Sequence, residues 1–378
     1  MRLERLRTGK WPQTLLMFCA LALPVAGYCD AGPGWLQRIS ASMGGHANDV
    51  AVKVAELPEK YSHDIVNGVA FSADGNQIAV DASSQFIDIW DWRSGRIVKT
   101  IERARAANDV DVTEPLRYSP DGKLFVACHS LAAGDVVARL WNAKTWEVVH
   151  DFVDPGAGGC NAIGFTPDGQ YLIRVVDRGD SPGDSLIVYK VGTWQLVWGL
   201  RVEGFSPAAL AISPDGEFIA FGGQFFYTPP GLTKPIDISL QTKIYPQIQI
   251  VDMRQRKVVH VIQSDARGAM AWSPDGARIA VVGEQYVEIF DAHTGDRLVH
   301  EKLEKSGTMH VRYTPDGRYL LESDLNGRGA GLGVMIWDGQ HHKLLQQFGG
   351  DVGSIAISRD GKYFAAGETG KTTVWQFK

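Results

Sequence analysis

The sequence predicts an all-β fold of seven repeated units, on three observations. A turn tetrapeptide recurs seven times: Ser72-Ala73-Asp74-Gly75, Ser119-Pro120-Asp121-Gly122, Thr166-Pro167-Asp168-Gly169, Ser213-Pro214-Asp215-Gly216, Ser273-Pro274-Asp275-Gly276, Thr314-Pro315-Asp316-Gly317 and Ser358-Arg359-Asp360-Gly361. Its glycines stand 47, 47, 47, 60, 41 and 44 residues apart. Between the turns run short segments of alternating β-branched and aromatic residues, with no helical period of useful length. A period of about 40–45 residues with this patterning is the mark of propeller blades. The expected fold is therefore a seven-bladed β-propeller closed by an N-terminal outer strand.

Residues 1–27 read as a secretory signal peptide that precedes the fold. Arg2, Arg5, Arg7 and Lys10, with one acid, Glu4, form a basic n-region, and residues 15–23 an apolar h-region. Val25-Ala26-Gly27 offers small residues for cleavage. The apolar run is too short to span a bilayer with ease, and no later run approaches 18 apolar residues, so no membrane span is expected. Cleavage takes the formal charge from -5 to about -8. The expected product is exported, periplasmic or extracellular, with residues 28–49 a linker and 50–378 the propeller. That charge gives no reason for a nucleic-acid partner, and basic runs such as Arg103-Ala104-Arg105 are isolated.

Cys29 follows the cleavage region, but Tyr28 beside it departs from the lipobox pattern, which argues against a lipid anchor. Cys128 and Cys160 fall in the second blade and at the start of the third. In an oxidising compartment they either pair or stay as free buried thiols, and spacing decides neither.

Each repeat has the same order. In the first, Gly68-Val69-Ala70-Phe71 is strand A, the turn follows, and Gln77-Ile78-Ala79-Val80 is strand B. Residues 86–91 then form strand C and residues 96–101 strand D, across a turn at Ser94-Gly95. Pro sets φ for the first corner of the repeated turn, Asp suits the second, and Gly takes the left-handed position after it. Strand C ends on Trp90-Asp91, Trp141-Asn142, Tyr189-Lys190, Val251-Asp252, Phe290-Asp291, Trp337-Asp338 and Trp375-Gln376 in turn.

On these turns and strand ends the chain resembles the WD40-like β-propeller family, including the related YVTN-type bacterial propellers, over residues 50–378. It departs from the eukaryotic consensus in lacking the Gly-His dipeptide before strand A, and Trp-Asp is intact only in blades one and six. The seventh repeat stops at its third strand, residues 373–378, so an outer strand is missing. Residues 50–57 carry a strand pattern ahead of the first blade, and closing the ring with them, like the velcro of this family, removes an exposed sheet edge.

The resemblance implies that strand A lines a central channel. Two positions before each turn hydroxyl stand Ala70, Arg117, Gly164, Ala211, Ala271, Arg312 and Ala356. Four positions before stand Gly68, Pro115, Ala162, Ala209, Ala269, His310 and Ser354, while the residues between are apolar and pack between blades. Arg117, Arg312 and His310 are the bulky exceptions in a layer of small residues. Blades two and six face each other roughly across the ring, so two guanidinium groups converge there and need a compensating negative charge. A bound anionic ligand would supply it, and so would Glu114 with solvent.

The 60-residue step marks an insertion in blade four, from about Gln224 to Gln247, between strands B and C. It is read as a loop carrying Phe225, Phe226 and Tyr227 before Pro229-Pro230, on the face where the family binds partners. These aromatics either contact a protein partner or fold back over the channel mouth.

Other signals are weaker. Asp177 to Asp184 contains an Arg-Gly-Asp and a G-x-S-x-G, but Pro182 after the Ser offers no N–H for an oxyanion hole, and a solvated polar loop is expected. His341 and His342 are adjacent, so on a strand they point to opposite faces and cannot chelate together. The glycine-rich run 327–333 lacks a P-loop Lys and precedes a strand.

The function expected from these features is an exported, non-enzymatic scaffold for protein–protein interaction. The alternative is binding or sensing of an anionic small ligand in the channel, and a propeller-type hydrolase is the third reading. No cofactor or metal is expected, since a propeller enzyme places several carboxylates or histidines on the channel layer.

Overall fold

The computed structural model describes residues 49–59, 66–81, 86–102, 116–128, 136–154, 160–176, 183–227, 243–265, 268–283, 286–303, 308–325 and 331–378. The signal-peptide and linker segments, Cys29, Glu114, Pro115 and most of the Arg-Gly-Asp and glycine-rich loops lie outside them. The described strands form seven four-stranded antiparallel sheets, each strand pairing with its sequence neighbour except at the ring closure, where residues 51–58 pair with residues 371–377.

Blade one shows the pattern: strand A at Gly68–Phe71, B at Gln77–Asp81, C at Phe86–Asp91 and D at Arg96–Glu102. Strand B is buried almost throughout, because both faces of the blade pack on neighbours, whereas strand D is mostly exposed on the rim, with Ile101 buried. Apolar side chains leave the two faces of each sheet and meet those of the next blade. Seven apolar clusters result, each shared by two adjacent blades. Between blades one and two, Ala70, Ile87 and Ile89 meet Leu116, Phe125 and Trp141. Between seven and one, Leu57 and Val374 meet Val69, Ile78 and Trp90.

The strand Ala51–Pro58 is the outer strand of blade seven, antiparallel to Lys371–Phe377, with Ala51 opposite Phe377 and Leu57 opposite Thr372. Blade six clamps its start: the Gln346 side chain accepts from the backbone N–H of Val50 (2.8 Å) and Ala51 (2.9 Å) and donates to the carbonyl of Ala51 (3.1 Å). Closure therefore ties together three segments far apart in the chain.

The repeated turns are built alike. All seven glycines sit at φ between 69° and 74°, the left-handed region where a Cβ is penalised. In blade two the Gly122 N–H donates to the Ser119 carbonyl (2.9 Å), and the Ser119 hydroxyl donates to Asp121 (2.7 Å) while accepting from the Leu124 N–H (2.9 Å). The other six copies repeat the hydroxyl–carboxylate bond. Turns also touch around the ring. A Cβ built on Gly169, Gly216, Gly317 or Gly361 would lie 3.3–3.9 Å from the Pro ring of the preceding turn, and one on Gly122 would come within 2.9 Å of Ala73.

Cys128, on strand B of blade two (Leu124–Cys128), is disulfide-bonded to Cys160 at the entry to blade three, with a Cα–Cα distance of 5.4 Å. The link lies inside the apolar cluster of blades two and three. This settles the pairing that spacing left open.

Two outcomes are expected. Leu57→Ala should lower the unfolding free energy by about 2–4 kcal/mol, since Leu57 is fully buried at the closure seam. Val54→Ala, on the exposed face of the same strand, should change it by less than about 0.5 kcal/mol. Replacing Cys128 and Cys160 together by Ala should cost about 3–4 kcal/mol, the closure entropy of a loop with 32 residues of separation. Urea midpoints read both; equal effects of L57A and V54A, or an unmoved midpoint without the disulfide, would contradict this account of closure and stapling.

Candidate functional site

Strand A of blade two (Leu116–Tyr118) and of blade six (Thr308–Tyr313) carry the channel cations. Period-two alternation sends the apolar Leu116 and Val311 into the blade interfaces, where both are buried. Their neighbours Arg117 and Arg312 are half-buried and line one cavity of about 550 Å³ at the channel end bearing the A–B turns. Each guanidinium Nη1 donates to the carbonyl just before it in the chain: Arg117 to Leu116 (2.9 Å) and Arg312 to Val311 (2.8 Å). No carboxylate of the described residues forms an ion pair with either. The expected compensating acid, Glu114, lies outside the described residues.

The electrostatics follow from this enclosure. Burial lowers the Arg117 pKa to about 10, and burial plus the charge of Arg117 lowers that of Arg312 to about 9. Both groups stay cationic at neutral pH, in surroundings that penalise the charge. His310 lies two residues before Arg312, on the same strand face. Burial and then the charges of Arg312 and Arg117 push its pKa down to about 3, so it is a neutral imidazole. Its Nε2 is buried and has no hydrogen-bond partner among the described residues. The three channel residues singled out by sequence thus come together.

Sequence reasoning missed a fourth residue, Arg359. It lines the same cavity from the turn of blade seven, and its Nη1 donates to the carbonyl of Pro120 in the turn of blade two, reaching past blade one. The signal was present. Five of the seven turns carry Pro at the second position, and the two exceptions, Ala73 and Arg359, belong to adjacent blades.

The insertion of blade four differs from expectation. Phe225, Phe226 and Tyr227 lie not in a loop but on strand B, Phe218–Tyr227, which pairs over ten residues with strand C, Lys243–Asp252. The sheet ladder satisfies this backbone as a loop could not, and it suits a run of aromatic and β-branched residues. Phe225 turns inward, packed with the apolar cluster of blades three and four that contains Phe205 and Phe221. Phe226, Tyr227, Ile244 and Tyr245 are 37–49% exposed and form an aromatic ribbon tip. Residues 228–242 lie outside the described set.

Other charged clusters are internally compensated. Asp265, Glu288 and His300 approach one another as metal ligands would, but the Arg297 guanidinium stands among them, 2.7 Å from both carboxylates. Arg174 is buried in blade three against Asp154 (2.6 Å). His341 and His342 lie not on a strand but in the turn between Gly333–Asp338 and Leu344–Phe348, with His342 at φ 50°. His342 stacks on Trp337 at 4.5 Å with its Nε2 3.4 Å from Glu301, while His341 binds Asp338 (3.0 Å), so the two rings take separate partners.

Glu322 in blade six is the exception. It is fully buried, neither oxygen has a hydrogen-bond partner among the described residues, and burial raises its pKa from an ordinary 4.5 to about 8. Partial relief from the Trp337 indole is opposed by Glu301. The folded chain therefore holds this proton from pH 4.5 to about 8 while the unfolded chain releases it, so stability falls as pH rises through that window. Glu322→Gln should remove that slope and stabilise the fold at pH 7 by roughly 3 kcal/mol, read from unfolding midpoints between pH 5 and 8. A variant with the wild-type slope would assign the pH dependence elsewhere.

No protein-family model matches the chain. Among curated proteins it is similar to SEC12-like protein 1 of Arabidopsis thaliana, 26% identical over 183 residues, covering 48% of this chain and 43% of that protein. It also resembles transcription initiation factor TFIID subunit 5 of Caenorhabditis elegans, 33% identical over 86 residues (22% of this chain, 12% of that protein). A third relative is nuclear distribution protein PAC1 of Arthroderma otae, 29% identical over 175 residues (43% of this chain, 34% of that protein). The matches span less than half of each relative's length. Seven four-stranded sheets and seven hydroxyl–Asp–Gly turns make the described chain a seven-bladed β-propeller, and the turns, the strand C ends and these similarities liken it to WD40-repeat propellers.

Proposed function

We propose that this chain is an exported, non-enzymatic scaffold that recognises a protein partner through the ribbon tip of blade four. The observation carrying this reading is the ribbon tip of blade four, which exposes Phe226 and Ile244 on one face and Tyr227 and Tyr245 on the other, at the end of strands nearly twice as long as those of most other blades. Aromatic side chains on a rigid ladder offer large apolar contact area at low entropic cost, the composition of interface hot spots. The fold itself supports a scaffold role, and one relative is by its name a subunit of a larger assembly. The disulfide within the blade two–three interface supports an oxidising compartment, in keeping with the basic and apolar segments of residues 1–27. The channel layer of small residues, two arginines and a neutral histidine suits binding better than acid–base or nucleophilic chemistry.

Affinity capture from an exported-protein fraction tests the reading, comparing the wild type with a Phe226→Ser, Tyr227→Ser, Ile244→Ser variant. The expected result is a specific partner whose affinity falls at least about tenfold in the variant, roughly 1.4 kcal/mol, with an unchanged melting temperature. Equal affinity for both would remove the ribbon tip from the interface.

A further inference from the structure

We propose that the channel mouth on the A–B turn face is a binding site for a small multivalent oxyanion, such as phosphate, sulfate or a polycarboxylate, held by Arg117, Arg312 and Arg359. The site is independent of the ribbon tip. Three guanidinium groups from blades two, six and seven line one cavity of about 550 Å³, and no Asp or Glu is among its lining residues. That volume lies within the range of small-molecule sites, about 300–1,000 Å³. The chain as a whole has 43 acidic and 38 basic residues, so a wall of cations without acids is not its average composition.

The carboxylates nearest the mouth are already committed. Asp74, Asp121, Asp316 and Asp360 each accept from the hydroxyl of their own turn at 2.6–2.7 Å and from the backbone N–H two residues on at 3.0–3.1 Å. Contrast two other arginines largely withdrawn from solvent: Arg174 and Arg139 each have a carboxylate at 2.6 Å. Arg117 and Arg312 instead share a confined space with each other. Like charges there repel, and a bound anion relieves both at once. A planar guanidinium fork binds oxyanions through paired N–H groups, and three forks around one cavity match a ligand with more than one negative charge.

The turn ring shows how the third cation is delivered. Ala73 stands where five other turns have Pro, which leaves room beside it for Arg359 to extend to the Pro120 carbonyl at the cavity wall. The two departures from the turn consensus thus serve one place. Small residues, Ala70 and Ala356, line the wall between the cations and keep the cavity open. The buried, unpartnered Nε2 of His310 lies two residues from Arg312 on the same strand face.

The test uses the full chain in chloride buffer of fixed ionic strength, titrated with inorganic phosphate, sulfate and citrate by calorimetry and thermal shift. At least one anion should bind saturably, with Kd below about 1 mM, and raise the melting temperature. Arg117→Gln and Arg312→Gln should weaken that binding at least tenfold, while Arg254→Gln, an exposed arginine paired with Glu217, should leave it unchanged. Arg359→Pro restores the turn of five other blades, so it should fold even if the channel variants do not, and should weaken binding at least threefold. Failure of all three anions to bind the wild type, or equal binding by the folded arginine variants, would overturn the proposal. So would a silent wild type alongside a responsive Glu114→Gln, which would place the counter-charge within the chain.

Discussion

Every blade has two apolar faces, and neither can be satisfied within the blade. A four-stranded sheet buried on both sides needs a neighbour on each side, and in a ring of seven that requirement ends only when the last blade meets the first. The seven apolar clusters are this requirement made visible, because each draws on two adjacent blades. Opening one interface exposes two faces, so the cost of a defect does not stay in the blade that carries it. The channel is a by-product of the same geometry. Strand A of each blade is drawn to the axis, and whatever it bears between its buried positions must share the lumen with six other strands.

Charges inside such a ring fall into two kinds. Arg174 with Asp154, and Arg139 with Asp151, are compensated by groups within hydrogen-bond reach. They rigidify the blade that holds them. Arg117 and Arg312 have only backbone carbonyls among the described residues, and each burdens the other. Glu322 resolves its isolation differently, by keeping its proton. Enclosure alone therefore does not distinguish structural charge from charge held ready for a ligand; what counts is whether a counter-charge is within reach.

Most of the fold was legible because it is local. A hydroxyl, an Asp and a left-handed Gly close a turn regardless of the rest of the chain, and period-two alternation names the buried face. The outer strand of blade seven was legible as a deficit, since the seventh repeat lacked one. Features that depend on two distant segments were not. The length of the blade four ribbon turns on whether residues 243–246 pair with residues 224–227, and nothing near Phe225 reveals its partner strand. The pairing of Cys128 with Cys160 depends on how two blades dock. Arg359 departs from the Pro of five other turns, but that departure carries no meaning until the ring brings the turns of blades two and seven together and sets it against Pro120.

The seam has a kinetic side. Ala51 pairs with Phe377, so the strand at residues 51–58 finds its partner only once residues 371–377 have been synthesised, roughly 300 residues later. At about 5–20 residues per second that is a wait of tens of seconds. An unpaired strand over that interval is a template for wrong pairing. Lys53 and Glu56 stand on its exposed side, 3.1 Å from each other in the finished ring, and Lys371 of the late strand lies 3.5 Å from the same Glu56. Charges worth little to the folded state thus sit where they discourage the early strand from joining another copy of itself, and one of them is answered when its proper partner arrives.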